Sequence, residues 1–445
     1  MSAESLLDPL DPLAVDRELA RAARAWRAWR RRLRHGAGLD EDPFEPHRAV
    51  AGRSAFLAVR GLPSAEPLAT PLARWIHRLL EQRVNRGALA LAEHARRVEL
   101  HVVEAPEHTR ATLAELLARA LSDAPRRRPW VASFLERAGT LAEREGELVA
   151  RRREIALRLG LASPDELELP NPELAEHAGR WLELTRNLGA ELARPELTGF
   201  LELSLDPGDG AGWPSRLTPA VIIELFRGSP LLDRVALDPG RLPSALAPSS
   251  FLRALARVGA AWADALAPVN QPFVIAHDPY GLERYTTGAI FASLPLTRPF
   301  LHRQLRLGEA HARDAERTLA RVLLLASRAA ALRVTLRGPA LAGRRSFAEA
   351  FEHGVEHTFG FALAPTLAGA VLRVGPDDGQ RFAGWLLAAS RSDALRDEHD
   401  EDYYRNPRAV ERLRAEAALP PATTCTSAAL EAGARALARR LEAAL

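Results

Sequence analysis

Phe351-Glu-His-Gly-Val-Glu-His-Thr-Phe-Gly-Phe361 is the stretch on which the reading of this chain turns. With Phe347 before it, Phe351, Val355 and Phe359 recur at four-residue spacing as one apolar stripe, while Glu349, His353, Glu356 and His357 share the opposite face. That is the period of an amphipathic α-helix, not of a strand. Upstream, residues 309–336 read as one long helix. Its Leu319, Val322, Leu323, Leu324 and Leu325 leave little polar surface there, so it belongs in a core. Downstream, helices are expected over 377–401 and, in two short amphipathic pieces, after Pro407 and after Thr426.

The same texture covers most of the 445 residues. Leu, Ala and Arg dominate and β-branched residues are sparse, which favours helix. The spacing predicts helices over 16–35, 50–62, 71–100, 130–159, 171–193, 249–267, 282–294 and 299–307. Ser163-Pro-Asp-Glu starts another, and Thr109 or Thr112 caps one running to Leu121. Two places break the pattern. Phe200-Leu-Glu-Leu-Ser-Leu alternates like a half-buried strand, and Pro272-Phe-Val-Ile-Ala reads as a second short strand. Residues 230–248 are proline-punctuated and irregular. The expected architecture is mainly α: a multi-helix array with one or two short β-strands, an N-terminal helical region (1–198), an irregular connector (199–248) and a C-terminal helical region (249–445) carrying the candidate site.

Absences exclude much chemistry. All 60 basic residues are arginine. Without lysine there is no Schiff-base enzyme, no PLP site and no Walker A loop. Cys425 is the only cysteine, which rules out intrachain disulfides, iron–sulfur clusters and Cys-rich zinc sites. The N-terminal residues lack a basic region followed by an apolar one, so no secretory signal is expected, and no uncharged run is long enough to span a bilayer. A cytoplasmic location is the expectation. A net charge of +3 argues against dedicated nucleic-acid binding. Arg27, Arg30, Arg31, Arg32 and Arg34 make the end of the first helix basic. They form either an anion patch or a helix C-terminus complementing its own dipole, with Trp26 and Trp29 packed inward.

His353-Gly-Val-Glu-His357 matches H-x-x-E-H, the inverted zinc-peptidase motif. Histidines at i and i+4 can reach one metal ion from a single helix face, and Glu356 between them could act as general base on a metal-bound water. The expected site is therefore zinc held by His353 and His357, with Glu398 of the acidic cluster Asp397-Glu-His-Asp-Glu-Asp as third ligand. Glu401 is its alternative. Tyr403 or Tyr404 would stabilise the oxyanion. The other tyrosines, Tyr280 and Tyr285, adjoin His277-Asp278, which reads as an acid–base pair or as a turn capped by aspartate before Pro279. His77 and His94 sit singly on helices and read as structural.

The expected activity is that of a single-metal hydrolase acting on a peptide or small amide. An amphipathic surface helix would show the same pattern. The rival is thus a non-catalytic helical scaffold or interaction protein with a protein partner, a degenerate peptidase-like relic. It requires the polar face of the motif helix to be exposed. Haem ligation by one of these histidines is a third class.

Overall fold

The computed structural model describes residues 10–34, 37–38, 40–97, 100–101, 110–111, 127–190, 192, 213–214, 217–225, 246–343 and 345–445. Among them the chain is mainly α, with eighteen α-helices. The only named strands pair Leu100–His101 antiparallel with Arg110–Ala111. The expected strand at 200–205, the helix expected up to Leu121 and most of the irregular 230–248 stretch lie outside the described residues.

The helical periodicity places the core as read. In the Pro12–Arg34 helix, Val15, Leu19, Ala22, Trp26, Trp29 and Leu33 are buried against Phe44, Phe56, Leu72, Ile76 and Leu79. Both tryptophans are buried, whereas Arg27, Arg31 and Arg32 of the same helix are exposed. A second, larger core surrounds the Glu309–Leu341 helix, whose Leu319, Leu323, Leu324, Leu332 and Leu336 are buried. The Pro248–Leu266 and Glu283–Ser293 helices pack together beside it.

Three expectations need correction. The helix expected over 171–193 is two, Leu174–Leu184 and Arg186–Ala190. The 71–100 stretch is two helices, Ala69–Val84 and Arg86–Arg97, separated at Asn85. Pro272-Phe-Val-Ile-Ala is not a strand: Phe273–Ala276 is a single helical turn. Its opening amides are satisfied by Asp16 of the first helix, whose carboxylate accepts from Phe273 N (3.1 Å) and Val274 N (2.8 Å). A carboxylate on the free N–H groups of a turn stabilises it as a helix cap does. Trp75 Nε1 donates to the His277 carbonyl at 3.0 Å, so this segment also anchors the Ala69–Val84 helix.

Close helix contacts depend on small residues. A Cβ at Gly433, in the Ser427–Ala444 helix, would stand 2.2 Å from the Leu386 carbonyl oxygen of the Asp378–His399 helix. Backbone cannot yield as a side chain tip can. Gly433→Ala is expected to cost about 1–3 kcal/mol by overpacking. Gly146→Ala, in the open middle of the Arg127–Arg158 helix, should stabilise by about 1 kcal/mol through helix propensity alone. Urea unfolding of the pair checks both signs; equal effects would mean that the Gly433 contact yields freely.

Candidate functional site

The Phe347–Phe359 helix forms as expected, with a capping box between Ser346 and Glu349 and a left-handed Gly360 at its end. Phe347, Phe351, Val355 and Phe359 are buried. His353, Glu356 and His357 are exposed, and none of their side chains makes a hydrogen bond or ion pair among the described residues. Gly354 has a packing role: a Cβ there would meet Leu332 and Leu336 of the long helix at 2.8 Å. Glu398 is exposed at the end of the Asp378–His399 helix, bound to Arg412 (2.5 Å) and His399 (3.3 Å). Tyr403 and Tyr404 are buried in a 3-10 turn, with the Tyr404 ring packed on Phe300. Burial pushes both phenols up. Burial also pushes the Cys425 thiol up to about 11, so it remains protonated at neutral pH.

The ligand atoms that do converge belong to other residues. His77 and Glu81, one turn apart on the Ala69–Val84 helix, meet Glu168 of the short Asp165–Glu168 helix. One ligand atom from each lies within 4.8 Å of the others, the sole such group of three among the described residues. All three are buried, at 0 %, 3 % and 0 % exposure. His77, which reads in the sequence as a single structural histidine, thus stands beside two buried carboxylates that no local motif joins to it.

Arginine saturates this group. Arg152 Nε donates to Glu81 at 2.5 Å and its Nη2 to Glu168 at 2.6 Å, so one guanidinium bridges both carboxylates. Arg337 donates to Glu168 and to Asp165, and its Nη1 donates to the Gly375 carbonyl at 2.5 Å. Tyr280 OH lies 3.5 Å from both Glu168 Oε1 and His77 Nδ1. Burial alone would raise Glu81, but Arg152, His77 and Arg78 outweigh it and hold the carboxyl below its usual range. Arg152, disfavoured by burial, is driven well above its usual value by Glu168 and Glu81. Tyr280 is pushed well up by burial and by Glu168.

On the other side of the Ala69–Val84 helix lies a cleft of about 1310 Å³. Trp75, Arg78 and Gln82 line it, at i, i+3 and i+7 of one face. His77 and Glu81 point away from it, into the protein. Of the pairs read from the sequence, His277-Asp278 and Tyr285 do reach the cleft. Asp278 accepts from Tyr280 N at 2.9 Å as a turn cap and contacts Arg74 at 3.3 Å. Tyr285 OH donates to Asp377 at 3.0 Å.

The helical array has a counterpart among solved structures. The fold resembles that of a metallocarboxypeptidase. Trypanosoma cruzi metallocarboxypeptidase 1 superposes with a TM-score of 0.53 at 11% sequence identity, covering 97% of this chain and 99% of that one. No protein-family model matches the sequence, and no curated protein does.

A metallocarboxypeptidase-like fold makes the His77/Glu81/Glu168 group a possible metal site, and its residues can be tested for fit. One imidazole and two carboxylates are a reasonable donor set, and His77 Nε2 is buried without a partner. His77 and Glu81 also have the i, i+4 spacing of the two histidines in H-E-x-x-H, but Arg78 stands where that motif has its glutamate base. Against a metal stand three further observations. Arg152 already occupies the slot between the carboxylates. Glu81, Glu168 and Asp165 are matched by Arg152, Arg337 and Arg78, so a dication would add uncompensated buried charge. The group is also closed to the cleft, whereas a catalytic metal keeps an open position for water. With Arg152 in place, the residues do not fit a catalytic metal.

Proposed function

We propose that this protein is a non-catalytic binder of peptide chains, built on a metallocarboxypeptidase-like fold, with the cleft as its binding site. The observation that carries this reading is the Arg152 guanidinium held between Glu81 and Glu168. It supplies, from within the chain, the positive charge that a metal ion would bring to two buried carboxylates. The cleft supports the same reading. Its lining includes no glutamate among the described residues, and the i, i+4 pair on its Pro248–Leu266 wall, Arg253 and Arg257, is cationic.

A zinc-dependent peptidase is the second reading, favoured by the unpartnered His77 Nε2. Its best ligands are His77, Glu81 and Glu168, whose atoms converge, ahead of His353 and His357 with Glu398. One experiment separates the two. Metal content is measured on protein purified without added metal, alongside His77→Ala and His353→Ala, and each is incubated with a peptide library read by mass spectrometry. The expected result is sub-stoichiometric metal in all three and no cleavage. One zinc per chain lost in His77→Ala, with cleavage by the wild type, establishes the peptidase. The same loss confined to His353→Ala would return the site to the motif helix.

A further inference from the structure

Nine arginines and three aspartates line the cleft among the described residues, an excess of six positive charges in a protein whose whole net charge is only +3. With no lysine in the chain, the choice of arginine carries no information, but number and placement do. The three aspartates are already engaged, Asp278 with Arg74, Asp377 with Arg381 and Asp264 with Arg284. Arg27 and Arg31 on the first helix, Arg78 on the Ala69–Val84 helix and Arg333 on the Glu309–Leu341 helix make no hydrogen bond or ion pair within the described chain, yet all four face this space. Burial and the nearby Arg381 depress Arg333 despite the attraction of Asp378 and Asp377. No carboxylate directly contacts these four guanidinium groups among the described residues, and burial disfavours the charge of Arg27 and Arg333, an arrangement that a bound anion relieves.

We propose that the cleft binds an extended acidic peptide, its glutamate or aspartate carboxylates received by Arg27, Arg31, Arg78, Arg253, Arg257 and Arg333. This rests on the peptide-binding reading above and names the class of peptide. The volume exceeds the roughly 300–1,000 Å³ typical of small-molecule pockets, so a polymer suits it better than a single small anion. Arg27/Arg31 and Arg253/Arg257 are each one helical turn apart, about 5–6 Å. Alternate side chains of an extended peptide are about 6.6 Å apart, so each pair can take two carboxylates from one face of the ligand. Arginine forks suit carboxylates in bidentate geometry. Single-stranded nucleic acid is the competing polyanion, and it needs exposed rings on which bases stack. Here Trp26 is packed on Trp29 (4.9 Å) and Phe44 (5.2 Å), and Trp75 on Phe273 (4.9 Å). Tyr285 lies between the Arg284 and Arg381 guanidinium groups, each 5.5 Å from its centroid. These rings are committed to the wall, and Trp385, half-buried, is the remaining tryptophan of the lining.

The test is fluorescence anisotropy of the full chain with labelled hexaglutamate, hexaglutamine and a single-stranded hexadeoxynucleotide. It is repeated on Arg27→Ala/Arg31→Ala, two exposed helical positions where alanine favours the fold, and on Arg333→Gln, with melting curves confirming that both variants fold. The expected result is salt-sensitive binding of hexaglutamate, none of hexaglutamine, and affinity lower by about tenfold or more in each variant. Absence of hexaglutamate binding overturns the proposal. So does tighter binding of the oligonucleotide, or hexaglutamate binding that both variants leave intact. Mass spectrometry of the recovered peptide keeps the two readings apart. Bound but cleaved hexaglutamate would sink the non-catalytic assignment and leave the acidic preference standing.

Discussion

Arg152→Met should lose about 3–5 kcal/mol of folding stability, because it strands Glu81 and leaves Glu168 with Arg337 alone. Arg152 is buried, and the hydrogen bonds from its Nε and Nη2 both end on carboxylates that cannot reach water. Methionine fills the aliphatic part of the space and supplies no donor. Neutralisation is the escape open to the stranded carboxylates, so the variant should bind protons that the wild type does not and recover part of the loss at acid pH. The sign follows from Glu81. Arg152 is first among the groups that lower it against burial, so its loss leaves burial opposed by His77 and Arg78 and shifts the carboxyl upward, toward the protonated form. A second outcome distinguishes a cation slot from an ordinary salt bridge. With the guanidinium gone, His77, Glu81 and Glu168 still converge, and zinc should now stabilise the variant, by about 2.7 kcal/mol at a hundredfold excess over Kd. Urea unfolding of wild type and variant, with zinc and with chelator, measures both effects. A variant as stable as the wild type, or one indifferent to zinc, would show that Arg152 does not stand in for a metal.

The helices were legible because an apolar stripe every three to four residues is a local property. The Pro12–Arg34, Glu309–Leu341 and Phe347–Phe359 helices each carry their buried face in their own sequence. Phe273-Val-Ile-Ala failed for a related reason: four apolar residues are too few to separate a strand from a buried helical turn, and the deciding contact comes from Asp16, 257 positions away. The candidate site was hidden more deeply. Glu81 and Arg152 are 71 positions apart and Glu168 is a further 16 along, so no local motif joins them. One signal was available. His77 and Glu81 stand one turn apart in a helix whose Leu72, Ile76 and Leu79 are core, and a carboxylate so placed needs a buried partner. The H-x-x-E-H match drew attention because it is contiguous, yet its histidines lie on the side of their helix that faces water. The cleft was half visible. Arg27, Arg30 and Arg31 form a run that sequence can flag, whereas Arg78, Arg253, Arg257 and Arg333 come singly or paired from three other helices.

Arg337→Met is expected to be as damaging as Arg152→Met, about 3–5 kcal/mol, and to respond differently to metal. Arg337 is buried in the long Glu309–Leu341 helix and serves two carboxylates and a carbonyl: Glu168, Asp165 at 2.5 Å and Gly375 O at 2.5 Å. Its removal therefore detaches the Asp165–Glu168 turn from the core helix and frees the Gly375 loop. Arg152 remains between Glu81 and Glu168 in this variant, so the slot stays filled and zinc should not restore stability. Two arginines on the same carboxylate thus make opposite predictions for one added ion. Equal rescue of both variants would place the bound zinc elsewhere, on exposed groups such as His353 and His357, and the account of Arg152 as the internal cation would fail with it. Rescue of Arg152→Met alone would leave the Glu81–Glu168 slot as the position where this fold exchanges a guanidinium for a metal.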